Sequence, residues 1–272
     1  MSFHYVGLVP GLPHLLAPRS HPDSTALATA MGRMGDEMHA AGIRRVLYFS
    51  TQWISVLGQM LQARPRMKGM HVDENWHDLQ GVDNIAYDFV VDTAFAIRLE
   101  RAMAQADFST KLVDYEGFPI DTGTIVADRL LNRGRFKTGM LSCCVYSDAA
   151  ETERLFKVVT EATKGDAVPT ALVIVSGLSG RYFTTEIDPR EDHISSPSDD
   201  TWNRRMLDLL VRQQVTTLDQ VQPEFASQCK ADMGFKALSV LKGAGVFSGG
   251  RTIHQLAYGA IYGTGAAVVA IS

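Results

Sequence analysis

One short polar stretch of the chain gathers side chains that could bind a metal ion. It contains His71, Asp73, Glu74 and His77, and its two histidines are six positions apart. Imidazoles and carboxylates are ligands for zinc and iron, but ligand spacing alone specifies little. The alternative is a solvated cluster in a polar loop, and we favour it.

Two other motifs resemble known loops without completing them. Residues 177–181 (GLSGR) resemble a nucleophile elbow, but that motif needs glycine where Arg181 stands, so a serine hydrolase is not predicted. Residues 263–265 (GTG) resemble a phosphate loop, yet they precede a terminal apolar run and not a helix. Because no phosphate-loop lysine motif occurs either, nucleotide binding is not predicted.

The composition favours a cytoplasmic protein. The chain has 272 residues and a formal net charge of -4, with basic residues interspersed, so no basic stripe predicts nucleic-acid binding. Residues 1–9 are too short and polar for a signal peptide, and no apolar stretch approaches the ~18 residues of a membrane span. We therefore expect neither membrane nor nucleic acid as a partner. The adjacent Cys143 and Cys144 are expected to be small buried residues of a strand.

Apolar runs rich in β-branched residues alternate with helical patterns along the chain. Buried strands are predicted at 5–9, 46–49, 140–145, 171–175 and 266–271. Helices are predicted at 24–41, 92–106, 149–162, 199–212 and 224–241, the first with Ser24 or Asp23 as N-cap and Gly42 as terminator. Residues 64–84 and 184–200 are predicted to be long loops. This order predicts a single α/β domain over residues 1–272, with a central, largely parallel sheet covered by helices on both faces.

Four segments spread along the chain share a pattern with a known enzyme family. They are residues 8–15 (LVPGLPHL), 49–53 (FSTQW), 118–124 (FPIDTGT) and 176–183 (SGLSGRYF). They resemble the ring-cleaving extradiol dioxygenases of the protocatechuate 4,5-dioxygenase superfamily, which read A-P-H-x-P-H-L, S-P-H-W, D-H-G-T and SGxLSHRxF there. On this resemblance, Gly11 and Gln52 replace two iron-binding histidines, Thr122 replaces a pocket histidine, and Gly180 replaces the acid/base histidine.

The resemblance also concerns the third iron ligand, a glutamate close to the last strand in the family. No Asp or Glu follows Asp232 in this chain, and His254 lies near the expected place. A non-haem iron site of this kind needs two imidazoles and one carboxylate on one face. We therefore expect no catalytic residue, metal ligand or cofactor in this chain. Residual pocket residues are expected among His14, Trp53, Pro119 and His193, although either histidine could have a structural role instead.

Two further segments narrow the resemblance to one branch of the family. Residues 72–76 (VDENW) and 258–269 (YGAIYGTGAAVV) resemble the 2-aminophenol 1,6-dioxygenase branch, whose enzyme pairs two related subunits. Only the β subunit of that branch keeps the iron residues. The resemblance implies a non-catalytic α-type subunit that supports an Fe(II)-bearing homologous β subunit in an α2β2 assembly. The aromatic substrate, 2-aminophenol or a chlorinated analogue, would bind to the partner.

Two other functions stay open at this stage. The chain could be an active extradiol dioxygenase with an atypical metal site, or a stand-alone protein that binds an aromatic ligand. The loss of several independent chemical positions in one chain favours the non-catalytic subunit.

Overall fold

A central sheet with helices on both faces forms most of the described part of the chain. The computed structural model describes residues 3–17, 21–73, 75, 84–116 and 120–272. The strands are β1 (Tyr5–Val9), β2 (Arg45–Ser55), β3 (Gln59–Gln62), β4 (Arg66–His71), β5 (Ile85–Val90), β6 (Thr110–Val113), β7 (Lys137–Cys144), β8 (Thr170–Val175), β9 (Ile253–Ile261) and β10 (Thr264–Ile271). The helices are α1 (Pro22–Ala40), α2 (Thr93–Gln105), α3 (Thr122–Leu131), α4 (Ala149–Thr163), α5 (Pro197–Val211), α6 (Val215–Gln228) and α7 (Lys236–Gly243).

The sheet has a parallel centre and antiparallel additions. Its strand order is β6-β3-β7-β2-β8-β1-β10-β9. The four central strands β7, β2, β8 and β1 are mutually parallel, whereas β10 and β9 add antiparallel at one side. On the other side, β3 is antiparallel to β7, and β4 and β5 form a separate antiparallel pair. The predicted α/β class with a largely parallel sheet is confirmed.

Helices cover both faces of this sheet because its central strands are apolar on both sides. In β2, Leu47 and Phe49 pack into one core with α2, α4, α5, α6 and α7. The alternate residues Val46 and Tyr48 pack into a second core with α1 and α3. Because side chains alternate along a strand, each central strand contributes residues to both cores. The prediction of helices on both faces is confirmed. None of these helices, within the described ranges, is long and apolar enough to cross a membrane.

The boundaries of the first predicted helix required one correction. Helix α1 begins at Pro22, and the ring of His21 accepts the backbone N–H of Asp23 at 3.2 Å, so the predicted caps Ser24 and Asp23 are wrong. Proline is favoured in the first turn because its missing N–H would have no partner there. Gly42 follows the helix with a φ of 80°, which agrees with its predicted role as terminator.

The predicted helix over residues 224–241 is wrong. The structure ends α6 at Gln228 and starts α7 at Lys236, and between them Lys230, Met233 and Gly234 have positive φ angles of 50°, 45° and 67°. The backbone N–H of Asp232 donates to the carbonyl of Leu178 at 2.9 Å, outside any α-helix. Tertiary hydrogen bonding therefore overrides the local helical pattern at this point.

The long polar loops were also predicted imperfectly. Residues 64–84 contain β4, and residues 184–200 contain a 3-10 turn at Pro189–Glu191 and the start of α5. Both predictions failed because the short polar strand and turn lack a strong periodic signal. Cys143 and Cys144 are buried free thiols at the end of β7, as predicted.

Candidate functional site

A cavity of about 700 Å³ opens where the parallel strands end. Its walls come from the segments that follow β1 and β8, from the last part of β2, and from the irregular segment between α6 and α7. The carboxyl ends of parallel strands are where α/β sheets bind ligands. Four of the predicted positions, Gly11, Gln52, Thr122 and Gly180, line this one cavity.

A bulge in β2 turns Gln52 towards the cavity. Pairing with β7 is regular up to Ser50 opposite Ser142 and resumes only at Ile54 opposite Cys143. Such bulges redirect side chains and are common beside functional sites. Gln52 lines the cavity, but its neutral amide is a much weaker iron ligand than an imidazole.

The wall at Gly11 has no room for a side chain. A Cβ atom there would lie 2.6 Å from the Cα of Gly123 and 2.6 Å from Cγ1 of Val175. The Nε2 atom of Gln52 would be 3.1 Å away. Because one of the nearest atoms belongs to the backbone, a larger residue would require the start of α3 to move. The position cannot provide a ligand in this arrangement.

Gly180 is enclosed in a similar way. Its Cβ position lies 2.5 Å from the carbonyl oxygen of Lys230, and its own N–H donates to the carbonyl of Cys229 at 3.2 Å. The segment after β8 is thus held against the backbone that links α6 to α7. No side chain at residue 180 fits without displacing that contact.

Sequence reasoning missed the carboxylate of Asp232. The absence of acidic residues beyond Asp232 had suggested that the carboxyl-terminal part of the chain supplies no carboxylate, yet Asp232 itself lines the cavity. Its Oδ2 atom accepts hydrogen bonds from Thr51 Oγ1 at 2.6 Å, Ser176 Oγ at 3.0 Å and Gly177 N at 2.8 Å. It therefore ties the ends of β2 and β8 together. Only the break between α6 and α7 brings it there, and the helical pattern of the sequence concealed that break.

Thr122 connects two members of the predicted polar cluster. Its hydroxyl lies 2.8 Å from Nε2 of His71 and donates to the carboxylate of Asp73. All three residues line the cavity. Glu74 and His77, the other members of that cluster, lie outside the described residues, so metal binding by the whole cluster stays untested.

Asp121 positions the start of α3 at the cavity wall. As its N-cap, Asp121 accepts the N–H of Thr124 at 2.8 Å, and it also accepts the hydroxyl of Ser50 at 2.6 Å. Burial raises the pKa of the Asp121 carboxyl. Hydrogen bonds thus occupy both of its oxygens, since Thr124 Oγ1 donates to the second at 2.6 Å.

The remaining predicted residues lie away from the cavity lining. His14 is buried behind it with its ring 5.7 Å from that of Tyr262, and burial lowers the pKa of His14 to about 4. Trp53 packs beneath the β4–β5 hairpin. His193 is exposed, with Nδ1 2.9 Å from the carbonyl of Glu191, and it lines a separate depression.

His254 and Pro119 complete the predicted set. His254 is exposed on the edge strand β9, so it does not occupy a position in the cavity. Its register opposite Ala270 places it far along the strand from the cavity residue Ile261. Pro119 lies outside the described residues.

The donor set of the cavity does not fit Fe(II). In the described part of the chain, no group of three or more His, Cys, Asp or Glu side chains could hold a metal ion. Gly11 and Gly180 offer no donor atom, and Gln52 offers an amide. An iron site of this type needs two imidazoles and a carboxylate, and His71 is the one imidazole among the described residues that line the cavity.

Known proteins resemble this chain both in sequence and in fold. No family model matches the chain. The chain is 37% identical over 272 residues to the 2-aminophenol 1,6-dioxygenase alpha subunit of a Pseudomonas species, covering 97% of each chain. Its fold resembles the crystal structure of uncharacterized protein JW3007 from Escherichia coli K12, with a TM-score of 0.67 over 98% of this chain and 99% of that one. At 13% identity, the second likeness shows the fold alone.

Proposed function

The chain belongs to the family of 2-aminophenol 1,6-dioxygenase alpha subunits, and we propose that it is a non-catalytic α subunit. In this proposal it supports a homologous β subunit that holds Fe(II) and cleaves the ring of 2-aminophenol or a chlorinated analogue with dioxygen. The assembly is an α2β2 heterotetramer in the cytoplasm. Its active site lies wholly within the β subunit.

The closed walls at Gly11 and Gly180 carry the proposal. Both positions would meet backbone atoms at 2.6 Å or less if they bore a side chain. The absence of side chains at these two positions therefore belongs to the packing of the cavity wall. It is not a simple exchange of surface residues. A chain that keeps a complete sheet and two cores without such residues is suited to a supporting role.

Reconstitution with the partner subunit tests the proposal. We expect this chain alone, and with added Fe(II), to leave 2-aminophenol uncleaved, whereas a mixture with the homologous β subunit forms a stable complex that cleaves it. We also expect the β subunit alone to be less active or less soluble. Ring cleavage by this chain alone would instead identify an active dioxygenase with an atypical metal site.

The open cavity supports one second candidate function, the binding of an aromatic ligand by a stand-alone protein. It retains a volume of about 700 Å³ with the Tyr182 ring and polar groups in its wall. Calorimetric titration with 2-aminophenol distinguishes the two candidates. Binding by a chain that neither associates with the β subunit nor changes its activity would favour the second.

A further inference from the structure

Exposed apolar side chains are concentrated around the mouth of the cavity. Ile54, Val72 and Tyr182 line the cavity and are about half exposed, at 55%, 48% and 47%. Four more residues, Val56, Leu57, Val145 and Tyr146, continue from Ile54 along the adjoining loops. We call these seven residues the mouth patch. Each of them has a large apolar side chain that is exposed to solvent.

The loop between β2 and β3 shows that this exposure is not what a free loop would favour. Its turn contains Val56 and Leu57, which are 51% and 80% exposed, followed by Gly58 with a φ of 99°. Gly58 suits such a turn because glycine tolerates a positive φ. Val56 and Leu57 do not, because turn residues are usually polar or small. Two apolar side chains at a solvated tip therefore need another explanation, and burial by a partner supplies one.

The loop after β7 lies beside the β2–β3 loop, and the two loops form one surface. The N–H of Val145 donates to the carbonyl of Ser55 at 2.9 Å, which fixes the two loops side by side. Tyr146 follows and is 78% exposed. Beneath them Nζ of Lys236 donates to the carbonyl of Cys144 at 2.6 Å, so the loop is anchored from inside. These hydrogen bonds therefore fix the backbone that carries the exposed apolar side chains.

The mouth patch is a large apolar surface for a single chain. Its seven side chains are each between 40% and 80% exposed, and a specific interface takes about 800 Å² from each partner. Exposed apolar patches on monomers rarely exceed a few hundred Å².

We infer that the mouth patch is the surface by which this chain docks onto its homologous β subunit. The inference rests on the proposed function, since a member of an alpha-subunit family has a partner of the same enzyme. Docking there covers the cavity of this chain. A chain that does no chemistry can accept such closure, because its cavity need not admit substrate.

Paired substitutions test the docking surface. Val56→Asp and Tyr146→Asp place a carboxylate within the mouth patch. Val90→Asp and Tyr115→Asp are the matched controls, because Val90 and Tyr115 are 47% and 50% exposed but lie outside the patch. Residue 91 bridges to Thr138 near the start of β7, whereas Val145 follows the end of that strand, so Val90 lies at the opposite end of the sheet.

Each variant is mixed with the purified β subunit, and affinity is measured by calorimetry after circular dichroism confirms folding. We expect the patch variants to bind on the order of 100-fold more weakly, as loss of an interface hot spot does, and the controls to bind within about twofold of the wild type. Wild-type-like binding by folded patch variants would overturn the docking surface while leaving the α–β complex intact. Failure of the unsubstituted chain to bind the β subunit would overturn the proposed function as well. A homodimer that the patch variants dissociate would show that the occupant is a second copy.

Discussion

The Cβ position of Gly180 lies 2.5 Å from the carbonyl oxygen of Lys230. This contact excludes a residue with a side chain at position 180. A backbone oxygen cannot move away by rotation, as the end of a flexible side chain can. Lys230 itself has a φ of 50°, so the backbone that blocks residue 180 is held in a conformation that L residues rarely adopt. The glycine at residue 180 and the shape of the α6–α7 link are therefore one structural feature.

The first prediction is that Gly180→Ala destabilises the protein by about 1–3 kcal/mol, as overpacking of a close contact does. Gly177→Ala is the matched control, since the nearest atoms to its Cβ position are 3.7 Å away. Urea unfolding of both variants gives the comparison. Equal stability of the two variants would show that the 229–232 backbone yields easily.

The second prediction concerns histidines introduced at residues 52 and 11. Gln52→His should fold normally because residue 52 already carries a side chain in the cavity. Gly11→His should lower the melting temperature or prevent folding, since its Cβ would meet Gly123 at 2.6 Å. Neither should bind Fe(II) with the affinity of a facial triad. Thermal melts and metal titration are the measurements, and a folded Gly11→His variant with tight iron binding would contradict the account.

The strands with continuous apolar sequence could be predicted from the sequence, and the more polar ones could not. β1 matches its predicted range of 5–9 because five buried residues in a row leave no ambiguity. β4, with the sequence RMKGMH, alternates only weakly, so its sequence predicts a loop. Its stability depends on pairing with β5, which lies too far along the chain for local patterns to show.

Four residues of the cavity wall could be predicted from the sequence, but the carboxylate of Asp232 could not. Gly11, Gln52, Thr122 and Gly180 were found by their resemblance to a motif, and all four line the cavity. Asp232 was overlooked because residues 224–241 carry a helical pattern, whereas the positive φ angles between α6 and α7 result from tertiary contacts.

The third prediction is that Asp232→Ala destabilises the protein by about 2–4 kcal/mol. The substitution leaves Thr51, Ser176 and the N–H of Gly177 without their shared acceptor, and buried donors without partners are costly. Asp232→Asn is the control, because its amide oxygen can still accept. Chemical denaturation should rank wild type above Asn and Asn above Ala. An Ala variant as stable as the wild type would show that water replaces the carboxylate.

The fourth prediction is a pH dependence from Asp128. Burial raises the pKa of its carboxyl to about 7, although Tyr48 and Asn132 donate hydrogen bonds to it. The raised pKa means that the folded state holds its proton where the unfolded state has lost it. Stability from this group is therefore fully present below the ordinary pKa near 4 and declines as pH rises to about 7.

Asp128→Asn removes this titration. We expect the free energy of unfolding of the variant, relative to the wild type, to increase by up to a few kcal/mol between pH 4 and pH 7 and to level off above. Urea titrations at several pH values measure it. A constant difference between variant and wild type over that range would contradict the raised pKa of Asp128.

The iron content of each subunit separated from the assembled complex tests the central claim most directly. The complex is formed with Fe(II) without oxygen, its subunits are separated under non-chelating conditions, and metal is measured against protein for each. The account predicts iron equimolar with the β subunit and negligible iron in this chain, with ring cleavage only in fractions that contain β. Near-equimolar iron in this chain, together with cleavage of 2-aminophenol by the chain alone, would contradict it.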